Sequence, residues 1–364
     1  MESDKQNCFP VSFIRGNFGC FLKPPSHIEK RLNSMNSKLL IPLNEIEATT
    51  KKALTSHGAS TEIASLVAHA VRTAEERGNK ICGLYYVESY CLQLKTGRVD
   101  GVIKPIVTNN KPGAVRVDGR FGFAQSAFAA GFDKAIEAAR SNGICSYSIE
   151  HTHTCTSLGY FAEQIAKSGM LAIGATNASA VVAPPGGSVP VLGTNPVAMA
   201  VPDGNGGVAF QFDFSTSAIA LGKITMAAAA NEPIPIGWAI DKNGNPTTSA
   251  EDALEGSLLS AGGYKGYGLG LMAEILAGAL TGSRLSVEVP PLKMPEGKPH
   301  DLGQFYIIID VQAYDDGFLQ RLGKLADVIE AQPNARLPGR NIPTPNEVEV
   351  DTELWLAIKE LSNK

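Results

Sequence analysis

The sequence predicts a mixed α/β protein, and three observations carry that class. The first well-patterned stretch holds three helical faces in succession. The middle alternates short β-rich runs with helical patterns, and the C-terminal part returns to helices. The 364 residues are 44% hydrophobic and 19% charged, ample for a sizeable core and unlike a disordered or fibrous chain. A formal net charge of −4 gives no sequence-wide basic field to hold nucleic acid or anionic lipid. The longest apolar candidate, Tyr267 to Leu280, is interrupted by Gly268, Gly270, Glu274 and Gly278. It falls short of the ~20 residues a membrane-spanning helix needs.

Residues 1–37 read as an irregular N-terminal extension, with Pro10, Pro24 and Pro25 and no secretory signal; either Met35 is the true start or the extension is dispensable. Asn44 with Glu47 reads as a capping box opening a helix that runs to about Ser56 and stops at Gly58. Ile63, Leu66, Val67, Ala70, Val71 and Ala74 share one face of a second helix, ended by Gly78. Leu84, Val87, Cys91 and Leu94 mark a third before Gly97, and residues 101–112 are the expected exit from this helical unit. Strands are expected over 114–117, 144–149, 170–176, 208–214 and 305–311. Helices are expected over 123–141, 158–168, 216–230, 267–279, 317–330 and 352–361. Proline, glycine and β-branched residues dominate 181–202, and Asn243-Gly244-Asn245-Pro246 is a turn.

Six cysteines (Cys8, Cys20, Cys82, Cys91, Cys145, Cys155) are scattered, with no C-x-x-C pair. In a chain of this length that favours reduced thiols and a cytoplasmic setting. No segment matches the G-x-G-x-x-G or G-x-x-x-x-G-K-[ST] nucleotide fingerprints. The chain instead holds an ordered set of short segments: Val117-Asp118-Gly119, Ala183-Pro184-Pro185-Gly186-Gly187, Leu192-Gly193-Thr194-Asn195-Pro196, Phe212-Asp213-Phe214-Ser215-Thr216-Ser217, Gly262-Gly263-Tyr264-Lys265-Gly266-Tyr267-Gly268 and Arg336-Leu337-Pro338-Gly339-Arg340.

From about Ile41 to the C-terminus, that set resembles the type-2 malate/L-lactate dehydrogenase family of NAD(P)-dependent oxidoreductases. The resemblance implies an α/β protein in which a non-Rossmann nucleotide-binding domain of mixed sheet and helices (116–311) joins a helix-rich domain formed by N- and C-terminal segments (38–115 and 312–364). It implies NAD or NADP as cofactor, a homodimer, and a small 2-hydroxy acid, 2-oxo acid or cyclic 2-imino acid as substrate. Cofactor binding then falls to Asp213, Thr216, Lys265, Gly186, Gly187, Thr194, Asn195, Gly339 and Arg340.

Elementary chemistry is compatible with this. Glycine lets backbone approach phosphates closely, and Lys265 offers a point charge to a pyrophosphate or ribose phosphate. Asp213 suits ribose hydroxyls or the orientation of a catalytic group. In the bland alternatives Lys265 is a solvated helix-start lysine and Asp213 caps the following helix.

Two departures from the family pattern concern the substrate end. The family carries G-H-x-S-H-G-x-x-R where this chain has Gly78-Asn79-Lys80-Ile81-Cys82-Gly83-Leu84-Tyr85-Tyr86, with the following tyrosine kept as Tyr90. Both histidines and the carboxylate-clamping arginine are replaced, which leaves Cys82 and Tyr86 to line an altered substrate end. Arg98, Arg116 and Arg120 are the arginines that remain to substitute. At the family's catalytic histidine, an ungapped alignment places Thr154 and one extra loop residue places His153; His153 is taken as the acid/base, because proton delivery needs a group titrating near neutrality. Two other classes stay open. One is a non-catalytic cofactor-binding relative. The other is a metal-dependent hydrolase, since His151, His153 and Cys155 alternate and share one face of an extended strand. In the dehydrogenase reading no residue is assigned to a metal.

Overall fold

The computed structural model describes residues 37–340 and 344–363. The expected N-terminal extension, apart from Ser37, and the start at Met35 lie outside the described residues. The chain opens with β1 (Lys38–Pro42), followed by α1 (Leu43–Ser56), α2 (Thr61–Glu76), two 3-10 turns (Lys80–Cys82 and Leu84–Tyr86) and α3 (Val87–Thr96). Asn44 does not cap α1. That helix starts at Leu43 directly after the strand residue Pro42, and the Asn44 side chain accepts from the Glu45 amide at 3.0 Å.

A seven-stranded sheet occupies the middle, built from β2 (Ile106–Lys111), β3 (Ala114–Asp118), β4 (Ile144–Thr152), β5 (Met170–Thr176), β6 (Val197–Pro202), β7 (Val208–Phe214) and β10 (Leu302–Asp310). Its spatial order is β2-β3-β4-β10-β5-β6-β7, and only β3 and β4 run parallel. β10 sits centrally, with Phe305 opposite Ser148 on one side and Ala175 on the other. The expected domain boundary after residue 115 falls inside β3, which pairs with both β2 and β4. β2 therefore belongs to the sheet, although sequence placed it in the exit from the helical unit.

Between β3 and β4 runs α4 (Ala124–Asn142), and α5 (Leu158–Lys167) joins β4 to β5. Both press apolar faces on the sheet, where Phe128, Tyr147, Phe161 and Tyr306 form an aromatic core. Gly131 lets α4 approach closely, because a Cβ there would stand 2.6 Å from Val117 and 2.8 Å from the Tyr147 hydroxyl.

A second core joins the two ends of the chain. β1 pairs antiparallel with β11 (Glu347–Asp351), and the last helix, α10 (Thr352–Ser362), drives Trp355 and Ile358 against Ile46 and Leu54 of α1. A third, smaller core gathers Val182, Leu192, Ile224 and Leu258 around α6 (Leu221–Ala230), α7 (Ala250–Glu255) and the two-residue strands β8 (Ala239–Ile240) and β9 (Ser257–Leu258). α8 (Tyr264–Glu274) follows and continues as a π-helical turn over Ile275–Ala279, and α9 (Phe318–Glu330) lies after β10. Among the described residues no helix is long and apolar enough to cross a membrane.

Candidate functional site

The N-terminal unit, the loop after β4 and the end of β7 converge on one cluster. Asp213 stands near the end of β7, where its Oδ2 accepts from the Gly159 amide at 2.7 Å and from Ser157 Oγ at 3.2 Å. Those donors belong to the first turn of α5 and the residue before it, so the carboxylate faces the positive end of a helix. Its side chain still meets solvent, yet surrounding protein pushes the Asp213 carboxyl above the usual carboxylate range despite these hydrogen bonds. That combination marks a group on the wall of a cleft.

Cys82 and Cys155 both feel Asp213. Desolvation first, and then the Asp213 charge, push the Cys82 thiol up to about 12 and move Cys155 upward as well. Tyr86 lies near both thiols and is likewise pushed up, mainly by burial. At neutral pH the thiols and phenol are therefore uncharged, and Asp213 is the charge that acts on the two thiols.

Glu75, which sequence reasoning missed, fixes the turn that carries Cys82. Its Oε1 accepts from the Leu84 amide at 2.7 Å, and a Cβ on Gly83 would stand 2.1 Å from that oxygen. Asn79 was not singled out either, except as a lost histidine; its side chain hydrogen-bonds Cys82. Neither carried a motif signal beyond polar residues flanking a glycine.

His153 lies behind this cluster rather than in it. It is 2% exposed, with its ring stacked on His300 at 3.9 Å and edge-on to Tyr90 at 5.5 Å. Nε2 sits 2.5 Å from Gln93 Oε1, which makes it the N–H donor of the pair, and Nδ1 is buried without a partner. Burial, reinforced by the Arg98 guanidinium, pulls the imidazole down from 6.5 to about 3, so it is neutral near pH 7. The unfolded chain thus binds more protons than the folded one between about 3 and 6.5. Stability is full above that window and is lost as pH falls through it. His153→Gln should therefore show a smaller drop in unfolding midpoint between about pH 7 and about pH 5 than the parent. Equal acid sensitivity in the two proteins would contradict the placement.

The structure separates the three residues that sequence aligned on one strand face. His151 adopts a left-handed backbone (φ 51°) and bonds Asp301, His153 points to Gln93 and His300, and Cys155 joins the Asp213 cluster. The shared metal face expected of them does not form. Two of the three arginines offered as substitutes are also engaged, while Arg120 is exposed. Buried Arg98 donates to the carbonyls of Pro291, Met294 and Lys298, and Arg116 grips Glu150.

The residues expected to hold a nucleotide divide into two groups. Lys265 lies exposed in the first turn of α8, behind Gly262 and Gly263 at φ 61° and 66°. No side chain caps that helix start, and no atom lies within 4 Å of where a Cβ on either glycine would be. The open amides and the nearby ammonium make this a cradle suited to a pyrophosphate. Exposed Gly186 (φ 80°) is similarly bare, whereas Gly187 closes a turn on Pro184, donating its amide to the Pro184 carbonyl at 2.9 Å, and Thr194 is half-buried.

Asn195 and Thr216 instead work inside the fold. Asn195 is 0% exposed and donates to Glu274 at 2.7 Å and to the Gly270 carbonyl at 3.1 Å. Buried Thr216 hydrogen-bonds the carbonyls of Thr194 and Asn195, and a Cβ on Gly270 would meet it at 2.8 Å. These side chains tie α8 to the sheet, and the Thr216 amide and carbonyl are likewise engaged, by the Thr194 carbonyl and the Ala261 amide. Gly339 (φ 69°) packs on Gln211 of β7, and Arg340 pairs with Glu330 at 3.4 Å.

Comparison with known proteins places this geometry. The sequence profile described as malate/L-lactate dehydrogenase matches residues 41–354. A Delta(1)-pyrroline-2-carboxylate/Delta(1)-piperideine-2-carboxylate reductase of Pseudomonas putida is 35% identical over 329 residues, 90% of this chain and 96% of that protein. A (2R)-3-sulfolactate dehydrogenase (NADP(+)) of Chromohalobacter salexigens is 35% identical over 302 residues, 82% of this chain and 90% of that protein. Among solved structures, a delta1-piperideine-2-carboxylate reductase from Pseudomonas syringae superposes with a TM-score of 0.82 at 31% identity, covering 89% of this chain and 99% of that one.

Proposed function

The chain belongs to the malate/L-lactate dehydrogenase family, and from that premise we propose that this NAD(P)-dependent oxidoreductase reduces a small cyclic 2-imino acid in preference to a 2-oxo acid. One observation carries the preference. The charge acting on Cys82 and Cys155, the thiols beside Tyr86, is the carboxylate of Asp213, and the arginine and histidines of the family's substrate end are absent. A 2-oxo acid develops negative charge on oxygen during reduction and needs a proton from the protein. A cyclic imine enters already protonated in part, so it demands less from an acid, and an anion beside it favours the protonated form.

A nicotinamide held at this site would supply the hydride for the C=N carbon. The α8 start, with Gly262, Gly263 and Lys265, holds the pyrophosphate, and either NAD or NADP meets that requirement. Gly186, Gly187 and Thr194 border the same nucleotide, Asn195 and Thr216 hold α8 in place beneath it, and Gly339 and Arg340 close the β7 side. The nucleotide site so assigned is of a non-Rossmann kind, a reading supported by the mainly antiparallel sheet. Asp213 stabilises the protonated imine by charge. Cys82 and Tyr86 remain neutral, pack against the ring and keep water from it.

A second reading keeps His153 as acid/base, favoured by its unpartnered Nδ1. In that case His153→Ala removes turnover and spares nucleotide affinity; in the first reading, imine reduction survives the change.

The oligomer proposed is a homodimer. Leu269, Leu271 and Met272 of α8 and Ile275 just beyond it expose apolar side chains beside the nucleotide cradle, and a second copy of the chain is the occupant the family suggests. A monomer in sedimentation at micromolar concentration would remove that proposal. The setting proposed is a reducing, cytoplasmic one, in keeping with four free described cysteines. The cofactor reading is tested by fluorescence titration with NADH and NADPH. Saturable binding of at least one is expected, abolished or strongly weakened by Lys265→Glu; binding of neither would overturn the reading.

A further inference from the structure

At the C-terminal ends of β3 and β4 lies a group of side chains that the reductase reading does not use. β3 and β4 run parallel with Asp118 paired to Glu150, so these two carboxylates stand side by side at the ends of neighbouring strands. The next residue, His151, would ordinarily point to the opposite face. Its left-handed backbone breaks the alternation and brings the imidazole to the same side. One donor atom from each of Asp118, Glu150 and His151 lies within 4.8 Å of the others.

Two further observations give this cluster a direction. His151 Nδ1 stands 2.7 Å from Asp301 Oδ1, and a carboxylate can only accept, so Nδ1 carries the proton and Nε2 presents its lone pair. A carboxylate orienting a histidine in this way is the usual outer support of a metal-bound imidazole. Independently, Glu150 is 3% exposed, and while its Oε1 is held by Arg116 at 2.7 Å, Oε2 is buried with no partner. An ionised oxygen left in that state is costly unless a cation meets it. Asp118 accepts from the Arg120 amide through Oδ1, leaving Oδ2 free.

We propose that Asp118, Glu150 and His151 form a binding site for a first-row divalent metal ion, with Asp301 orienting the histidine. An imidazole nitrogen with two carboxylate oxygens suits zinc or its neighbours better than magnesium or calcium. The site is separate from the Asp213 cleft, and the inference does not rest on the reductase reading.

The test is titration of chelator-stripped protein with Co²⁺, followed by competition with Zn²⁺. One saturable equivalent is expected, with a visible ligand-field band and no thiolate-to-metal charge transfer, which separates this site from Cys82. His151→Ala should weaken binding by about a hundredfold and Asp301→Asn by about 10- to 100-fold. Arg116→Gln removes a neighbouring positive charge and frees Glu150 Oε1, so it should tighten binding severalfold. That variant keeps the three ligands and decides the matter should the others fold poorly. Absence of saturable binding, a thiolate charge-transfer band, or affinity indifferent to His151→Ala and Arg116→Gln would overturn the proposal.

Discussion

Replacing Asp213 by asparagine should lower kcat/KM for imine reduction about a hundred- to a thousandfold, while nucleotide affinity changes by about threefold or less. Asparagine keeps the shape and can still accept from Gly159 and Ser157, so the loss isolates the charge. The pH dependence carries the same information with a defined sign. Confinement raises the Asp213 carboxyl above its ordinary 3.8, and the carboxylate is the working form. Activity should therefore fall as pH drops through a midpoint above 3.8, and the asparagine variant should lack that limb. The alkaline limb, set by loss of the imine proton, belongs to the substrate and should persist in both. Gly159→Ala supplies a milder companion, because its Cβ would stand 2.9 Å from the Asp213 Cβ and displace the carboxylate. About a tenfold loss is expected there. An Asp213→Asn enzyme with unchanged kcat/KM would contradict the role assigned to the cleft.

The largest expected effect on stability is at Trp355. This residue is 1% exposed and packs with Ile46, Leu54 and Val67, in the core that joins the two ends of the chain. Trp355→Ala should cost about 3–5 kcal/mol in urea unfolding, through lost burial and the cavity left behind. Leu356, next along α10 and exposed, is the control, and Leu356→Ala should stay within about 0.5 kcal/mol of the parent. A Trp355→Ala loss no larger than the control's would mean that the terminal helix contributes little to this core.

Periodicity served well where a segment is buried on one face and runs without interruption. β5 and β7 coincide with the expected 170–176 and 208–214, and the helix expected over 317–330 is α9 less its first residue. β2 escaped notice because it reads Ile-Val-Thr-Asn-Asn-Lys and is largely exposed at the sheet edge, so no apolar alternation survives. β1 and β11 were missed for another reason. Each is short, and each exists only because the opposite end of the chain pairs with it. The helix expected from 216 begins at Leu221, since Thr216 and Ser217 turn their hydroxyls to local carbonyls and hold the preceding segment irregular.

The site was legible to the extent that motif residues carry it. Asp213, Cys82 and Tyr86 come together from segments that sequence had singled out, and Lys265 stands at an open helix start. The surroundings of His153 were not legible, because Gln93 and His300 reach it from distant parts of the chain. Burial then sets its proton affinity more than residue type does. Asn195 and Thr216 illustrate the converse. Their place in a family motif reflects the tie between α8 and the sheet as much as any ligand.

The measurement that bears most directly on the account is the steady-state oxidation of NADH or NADPH, whichever binds, with piperideine-2-carboxylate, pyrroline-2-carboxylate, pyruvate and oxaloacetate in turn. A site without an efficient general acid forgoes the ~10²- to 10⁴-fold such a group provides. The expected result is therefore a kcat/KM for a cyclic imine at least about a hundredfold above that for either 2-oxo acid. Equal or faster turnover of pyruvate or oxaloacetate would contradict it.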